Sequence, residues 1–563
     1  FAGSGADVLI GDIGNDVFKT YYNSLGASDA AKFGASNTIY GGTTAVASGS
    51  DTVDYGEIID TSYNIFADLS GNTNNVEIRT GTTVIKTDSV IDVNNVIGTS
   101  GNDTFRGNAN ANILNGLAGN NTALYTFAAL TAGVVANLQA GEVEKTTING
   151  TVKDTLINIQ NLVGSNFDDT FITKLSESNI IDGGDHKTIG DTIDYSTNGA
   201  TKIILDLDIS HITDVYGTGV INDGTYASVA VENGATDKIT KIENIKGSVG
   251  ADTIYGNAEN NTIYGMAGND TIYGVAGKNY IDGGAGNDLI YSGIGADRLF
   301  GGTGNDTFRG TTAGSFAGDV IDGGNELDAS RGSDTVDYHA ITGITTGVKV
   351  TLNGSTDSTV TINNANSHTI KNIENIIGTT FDDSIVGDTG NNTLIGESGA
   401  DTIKGIAGNN VIYGDKISDD GTDTLTNVST NNDVIYAGIG QDTIYAGGGD
   451  DTIFTEVGSD TIYGGSGNDK IYGGLGSKIY GGNYINDAHT DSGIDTVSYE
   501  NISTSVTVRL DANFAIVAAT GNSDIIFGIE NVIGTAFADS IVGDSSANSL
   551  IGGAGNDILN GLG

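Results

Sequence analysis

The residues with the clearest chemical potential are aspartates that recur at fixed intervals behind glycines. Asp252, Asp270, Asp288 and Asp306 follow one another at spacings of 18, and Asp297 falls midway between two of them. Each closes a Gly-rich hexad such as GGTGND, after which comes a triplet such as TFR. Glycine at the first, second or fourth place lets the backbone take positive φ and turn sharply, leaving carbonyl oxygens clustered in the turn. Carboxylates beside converging carbonyls make the all-oxygen surroundings that calcium prefers.

Two nested repeats must position these groups. From Gly247 to Arg309 the chain divides without a gap into nine-residue units: GSVGADTIY, GNAENNTIY, GMAGNDTIY, GVAGKNYID, GGAGNDLIY, SGIGADRLF and GGTGNDTFR. A second run fills 437–472, and shorter runs lie near 3–19, 98–115, 378–413 and 534–560. The eighth place is a large apolar residue (Ile254, Ile263, Ile272, Ile281, Ile290, Leu299, Phe308) and is expected to face inward. One turn plus one strand per nonapeptide gives a coil of 18 residues, with successive coils stacked as parallel strands about 4.8 Å apart, the logic of a solenoid.

Between the runs sit longer modules. Four open on Gly-Gly, a spacer and Asp-Thr-aliphatic-Asp/Ser-Tyr, ending at Tyr55, Tyr195, Tyr338 and Tyr499, and close on Asn-aliphatic-x-Gly. Alternating stretches inside them (202–209, 348–352, 506–510) read as strands, so the modules are expected to be short antiparallel excursions from the roll. The resulting division places roll at 1–40, 98–120, 165–184, 247–324, 378–482 and 534–563, and β-modules at 41–97, 121–164 (a degenerate copy), 185–246, 325–377 and 483–533.

Composition agrees. The 563 residues include 86 Gly, no Pro and no Cys, and 71 acidic against 24 basic side chains give a formal charge of -47. Such acidity makes nucleic acid a poor partner and calls for wide charge spacing or bound cations. Without Cys there are no disulfides or thiolate sites, so calcium becomes the candidate staple of an exported chain. No stretch approaches the roughly 18 apolar residues of a membrane span, and no basic-then-apolar leader opens the chain. Both ends lie inside the repeat pattern and read as cut from something longer. Two aspartates about 5 Å apart repel by roughly 3 kcal/mol at an effective dielectric near 20. The expectation is therefore a chain disordered without calcium and rigid with it.

The units GGAGNDLIY, GGTGNDTFR, GGSGNDKIY and GGAGNDILN resemble the GGxGxDxUx nonapeptide of the repeats-in-toxin (RTX) family. That resemblance implies an all-β, right-handed parallel β-roll interrupted by short β-rich modules, with calcium held by Asp and backbone carbonyls. It also implies one-step export with a carboxy-terminal signal, which these residues do not contain. Carried over position by position, the calcium ligands are Asp7, Asp16, Asp103, Asp252, Asp270, Asp288, Asp297, Asp306, Asp401, Asp442, Asp451, Asp460, Asp469 and Asp557. Asn stands at that place at 112, 121, 261, 279, 392, 410 and 548, and the short unit 473–480 offers Lys478, so weak or vacant sites are expected there. The ninth place should point outward, with Tyr255, Tyr273 and Tyr291 lining one face and Tyr264 and Phe300 the other. These rings would serve cross-strand stacking or a lateral contact surface.

Catalysis finds little support. His186, His211, His339, His368 and His489 are scattered, none begins HExxH, and no Ser lies in GxSxG. Each histidine reads as a lone surface residue. The expected function is a non-enzymatic, calcium-dependent structural protein of the bacterial cell surface, self-associating into a sheet or filament as in a surface layer. Two alternatives stand beside it: an adhesin stalk or tip with a surface glycan as ligand, and the export and folding region of a larger toxin or enzyme.

Overall fold

A short strand forms wherever a β-branched or aromatic triplet such as Thr-Ile-Tyr is released from a Gly-rich turn. The computed structural model describes residues 2–23, 32–42, 49–71, 74–209, 225–232, 235–324, 332–415, 431–474, 476–485, 488–490, 493–518 and 521–563. They form two compact units, Phe1–Thr271 and Ile272–Gly563.

Each unit is a β-roll. In the first, Asn244, Ile245 and Lys246 pair in parallel with Thr262, Ile263 and Tyr264. In the second, Leu289, Ile290 and Tyr291 pair with Thr307, Phe308 and Arg309. Both shifts are one 18-residue coil, and successive triplets alternate between two opposed sheets. The middle residue of each triplet points inward: Ile254, Ile263, Ile272, Ile281, Ile290, Leu299 and Phe308 are all 0% exposed. At about 1.5–3 kcal/mol per buried side chain these ladders hold the sheets together, although the core is only two residues deep.

The fourth-place glycine is fixed by the neighbouring coil. Gly304 has φ +119°, and a Cβ there would lie 2.0 Å from the carbonyl oxygen of Gly286; at Gly467, φ is +131° and the gap to Gly449 O is 1.8 Å. No side chain fits such a gap, so this position sets how closely coils stack.

The modules share one topology. In the first unit, the strand Thr38–Tyr40 pairs in parallel with Thr83–Ile91, which pairs antiparallel with Asn74–Thr80, which pairs antiparallel with Tyr63–Asp68, which pairs in parallel with Thr104–Arg106. One coil strand has thus become a three-stranded meander whose middle strand runs backwards. The same arrangement recurs with Val135–Asn137, Glu142–Thr147 and Gly150–Ile157 on the opposite sheet, then with Ile203–Asp206, Ala227–Val231 and Thr236–Thr240 on the original one. Residues 121–164 therefore have the full topology despite their divergent sequence. In the second unit, Val348–Thr351, Ser358–Ile362 and Asn366–Lys371 lie on one sheet and Val506–Arg509, Phe514–Val517 and Ser523–Phe527 on the other.

Each module carries an internal lock. The tyrosine ending its opening motif is buried, and its hydroxyl donates to a buried carboxylate of the returning strand: Tyr55 to Asp88 (3.0 Å), Tyr125 to Asp154 (3.2 Å), Tyr195 to Asp237 (2.9 Å) and Tyr499 to Asp524 (3.1 Å). In the fourth module Tyr338 meets His368 Nε2 instead, at 2.8 Å. Lys145, fully buried, adds an ion pair to Asp154 at 2.7 Å. The closing asparagine stitches the chain back into register: Asn244 Nδ2 donates to the carbonyl of Gly190 (3.0 Å), and its Oδ1 accepts from Thr262 N–H one coil on (3.1 Å).

Replacing Tyr499 by Phe strips the hydroxyl from a buried carboxylate and is expected to cost about 1–3 kcal/mol. Denaturant unfolding in saturating calcium measures it, and a change within error would contradict the lock.

Candidate metal centre

The sixth-place aspartates form ladders along the turns. Each side chain reaches one coil back, so that Oδ1 accepts the backbone N–H of the sixth-place residue before it. In the second unit Asp383, Asp401, Asp433, Asp451, Asp469 and Asp495 stand in consecutive coils, linked N–H to Oδ1 at 2.7, 2.8, 2.7, 2.8 and 2.8 Å. The last N–H of this series donates to Glu530 Oε2 at 2.9 Å. On the opposite edge Asp288, Asp306, Asp334 and Glu374 are linked at 2.8, 2.8 and 2.9 Å, and Asn392, Asn410, Asp442, Asp460 and Ser477 at 3.0, 2.6, 3.0 and 3.1 Å. Asp297 lies between Asn279 and Asp319 at 2.6 and 2.8 Å. In the first unit Asp252 N–H donates to Asp270 Oδ1 at 2.7 Å, and Asp7, Asp16 and Asp103 donate to Asn37, Asp51 and Asn121. Asp539 donates to Asp557 in the second. Asp7, Asp16 and Asp557 are half-buried; the other eleven expected ligands are buried.

The second carboxylate oxygen decides what a turn can hold. Oδ2 of Asp191, Asp297, Asp306, Asp319, Asp401, Asp433, Asp442, Asp451 and Asp460 is buried and accepts no hydrogen bond. It faces the space over the first-place glycine, beside a carbonyl of the next coil. A Cβ on Gly301 would lie 2.4 Å from Asp306 Oδ2 and 2.5 Å from Gly323 O, and one on Gly414 would lie 2.3 Å from Asp433 Oδ2 and 2.2 Å from Ala446 O. An anionic oxygen left without a donor beside a carbonyl is unfavourable unless a proton or a cation is supplied. The oxygen-only donor set fits calcium.

Two kinds of turn are sealed by the protein itself. At Asp103 and Asp252 both oxygens are engaged: Oδ2 accepts the N–H of Thr99 or Ser248, and Oδ1 accepts that residue's hydroxyl together with a module N–H, from Ile65 or Ile203. These two thus differ from expected ligands such as Asp306 and Asp451, whose Oδ2 is open. Where Asn replaces Asp, the amide takes the cation's place. Asn279 Nδ2 donates to the carbonyls of Gly274 and Ala276, Asn121 to Ala118 and Asn158, and Asn410 to Ala407. Lys478 does not occupy the ladder position: its side chain is exposed, and the shortened unit puts Ser477 there, accepting from Asp460 and donating its N–H to Asp524.

Burial pushes the open carboxyls far above the ordinary aspartate range, and neighbouring carboxylates push several further. Asp297 is raised to about 6, Asp306 and Asp460 to about 7, Asp191, Asp319, Asp401 and Asp451 to about 8, and Asp433, between Asp401 and Asp451, to about 9. A carboxyl whose folded value is raised stabilises the fold in its protonated form, fully below the unfolded value near 3.8 and progressively less as pH climbs through 6 to 9.

A family model described as the RTX calcium-binding nonapeptide repeat (4 copies) matches residues 1–19, 91–123, 246–280, 273–308, 377–412, 398–416, 428–461, 445–477 and 533–563. The chain carries RTX calcium-binding repeats. The RTX matches contain all fourteen expected ligands, but leave out ladder members at module borders such as Asp191, Asp319, Asp334 and Asp495 and most of each meander. A search of curated proteins returned no match.

The sequence reading missed the RTX-type positions hidden at module borders: Asp51, Asp169, Asp191, Asp319, Asp334, Asp383, Asp433, Asp495 and Asp539. Their signal was present, an Asp directly before a strand triplet that opens on Thr, Val or Ser followed by a large apolar residue, but loop insertions or Phe-containing turns hide the glycine spacing. The ninth-place aromatics stack as expected along the second unit, Tyr413, Tyr445, Tyr463, Tyr480 and Phe527 at 5.0, 4.9, 5.0 and 5.4 Å between centroids. Tyr255 departs from the outward pattern and is 4% exposed, paired beside Asp206 of the meander. Of the histidines, His368 is buried in a module lock and His186 faces Glu243, while His339 caps Asp337 at 2.7 Å. His211 and the side chain of His489 lie outside the described residues.

In a chelator, β-content should be highest below about pH 4 and fall as pH rises through about 6 to 9, with calcium abolishing the dependence; circular dichroism reads this, and a flat profile in chelator would refute it. Asp451→Asn, copying Asn410, is expected to lower bound calcium in equilibrium dialysis and to stabilise the calcium-free protein at neutral pH.

Proposed function

We propose that this RTX-repeat chain is a secreted structural protein of the bacterial cell surface that folds on calcium and self-associates, and that it is not an enzyme. The observation carrying the calcium-dependent part is the series of buried aspartate oxygens without a donor, which repeat once per coil. Calcium bound there converts mutual repulsion into folding free energy. Outside cells, where calcium is abundant, the roll would close; inside, it would stay open for export.

Self-association is supported by the contrast between the two turn edges of residues 383–495. One edge carries the unbroken aspartate series. The other shows apolar side chains: Ile406, Ile439 and Val457 are 44%, 59% and 55% exposed, and the turns bearing them pair in parallel, Ala407 with Ile439 and Ile439 with Val457. An exposed apolar stripe on a chain this acidic favours contact with another protein surface. The aromatic ladder speaks for structure over glycan recognition, because rings stacked at 4.9–5.4 Å cover one another's faces and leave edges and hydroxyls to solvent.

Electron microscopy of the purified chain with calcium is the test. Ordered sheets or filaments that are lost on chelation, and in an Ile439→Asp, Val457→Asp variant, are expected. Dispersed particles in calcium would overturn the assembly, and full β-content at neutral pH in chelator would overturn the calcium dependence.

A further inference from the structure

The third module of the first unit contains a turn unlike the others. Between the strands Ile180–Asp182 and Thr192–Asp194 the chain makes a longer excursion, 183–191, folded around a carboxylate of the preceding coil. Asp168 Oδ1 accepts N–H groups from Lys187 and Thr188 at 3.0 Å each and from Gly190 at 3.4 Å, and Asp168 Oδ2 accepts the Thr188 hydroxyl. Fixing 187–190 in this way brings His186 over the ladder, where its Nδ1 lies 3.4 Å from Glu243 Oε2. Glu243 belongs to the ladder as the residue before the module-closing asparagine, and its Oε2 accepts Asp191 N–H at 2.8 Å.

Among the described residues this is the group in which an imidazole joins two carboxylates. One ligand atom from each of His186, Asp191 and Glu243 lies within 4.8 Å of the other two. A second, independent observation points to a ligand: Asp191 is 0% exposed and its Oδ2 accepts no hydrogen bond. The chemistry differs from the calcium turns. Calcium takes oxygen donors, whereas imidazole nitrogen suits borderline ions such as Zn²⁺. A neutral imidazole and two carboxylates match the charge of one divalent ion and leave coordination positions for water. His186, with 42% of its side chain exposed, gives access from solvent. Two corresponding pairs in the second unit repeat the N–H to carboxylate bond at 2.9 Å: Asp334 and Glu374, on a turn whose sequence, 323–333, contains no histidine, and Asp495 and Glu530, on a turn, 481–494, whose His489 side chain lies outside the described residues.

We propose that His186, Asp191 and Glu243 form a mixed nitrogen and oxygen site for one transition-metal ion of the Zn²⁺ class, distinct in selectivity from the calcium-binding turns. It lets the third module respond to a metal that the rest of the roll does not select.

The test uses the full chain in saturating calcium, so that the oxygen-only turns are filled, and titrates ZnCl₂ against a chromophoric chelator. The wild type is expected to bind one more equivalent of zinc than His186→Ala, whose affinity at this site falls about 100-fold or more, since even indirect partners of a metal are worth 10–100-fold. Glu243→Gln keeps the acceptor for Asp191 N–H, as Gln160 does for Asn121 N–H at 2.9 Å, and should weaken zinc while leaving the calcium-induced circular dichroism unchanged. His339→Ala should bind zinc as the wild type does. Co²⁺ in place of zinc should give a visible band that His186→Ala lacks. Equal zinc binding by wild type and His186→Ala, or no zinc binding by the calcium-loaded wild type, would overturn the site.

Discussion

Everything in this molecule depends on one contact repeated along each turn edge: a sixth-place carboxylate reaching back to the backbone N–H of the sixth-place residue one coil earlier. It ties neighbouring coils at 2.6–3.0 Å, fixes where the next strand triplet begins, and leaves a second oxygen inside the turn. That oxygen is the source of both the fold's weakness and its chemistry. Satisfied, it locks adjacent coils. Left open, it places negative charge in a buried stack with only a thin apolar core to resist the repulsion.

The chain satisfies that oxygen in several ways, and the variety explains the apparent irregularity of the sequence. Open turns such as Asp433 require a proton or a cation. Asn turns such as Asn279 supply an amide N–H from the ladder residue itself. Turns after modules use a second-place hydroxyl, Ser248 onto Asp252, and the meanders use a buried tyrosine, Tyr195 onto Asp237, with Lys145 adding charge at Asp154. Degenerate repeats are therefore alternative solutions to one electrostatic problem. The residues that look like departures from the nonapeptide are the ones that remove its need for metal.

Much of the roll was legible because its determinants are local. A glycine hexad, an Asp and an aliphatic triplet specify turn, ligand and inward residue within nine positions, and Ile254 to Phe308 are buried in the order that the pattern predicts. The modules were legible only as interruptions. That they are three-stranded meanders replacing a single strand depends on pairings over dozens of residues, such as Tyr63–Asp68 with Thr104–Arg106, which no short motif encodes. For the same reason the ladder membership of Asp191, Asp334 and Asp495 was hidden: the loop before each stretches the glycine spacing that marks the turn. His186 read as a lone surface residue because its partner, Glu243, is 57 residues away in sequence.

The Tyr and Asp locks carry a consequence for how the protein fills with ions. Wherever a locked meander intervenes, the series of open carboxyls on its edge is broken by a turn that needs none. The open turns from Asp401 to Asp451, for example, follow the meander 348–371. Electrostatic coupling between vacant turns cannot propagate across such a turn as it does within a run. Saturation should accordingly proceed block by block, each block steep in its own response and tuned by its own count of open turns. A chain built this way would stiffen over a broad range of calcium concentration, where an uninterrupted series of identical turns would snap shut at one.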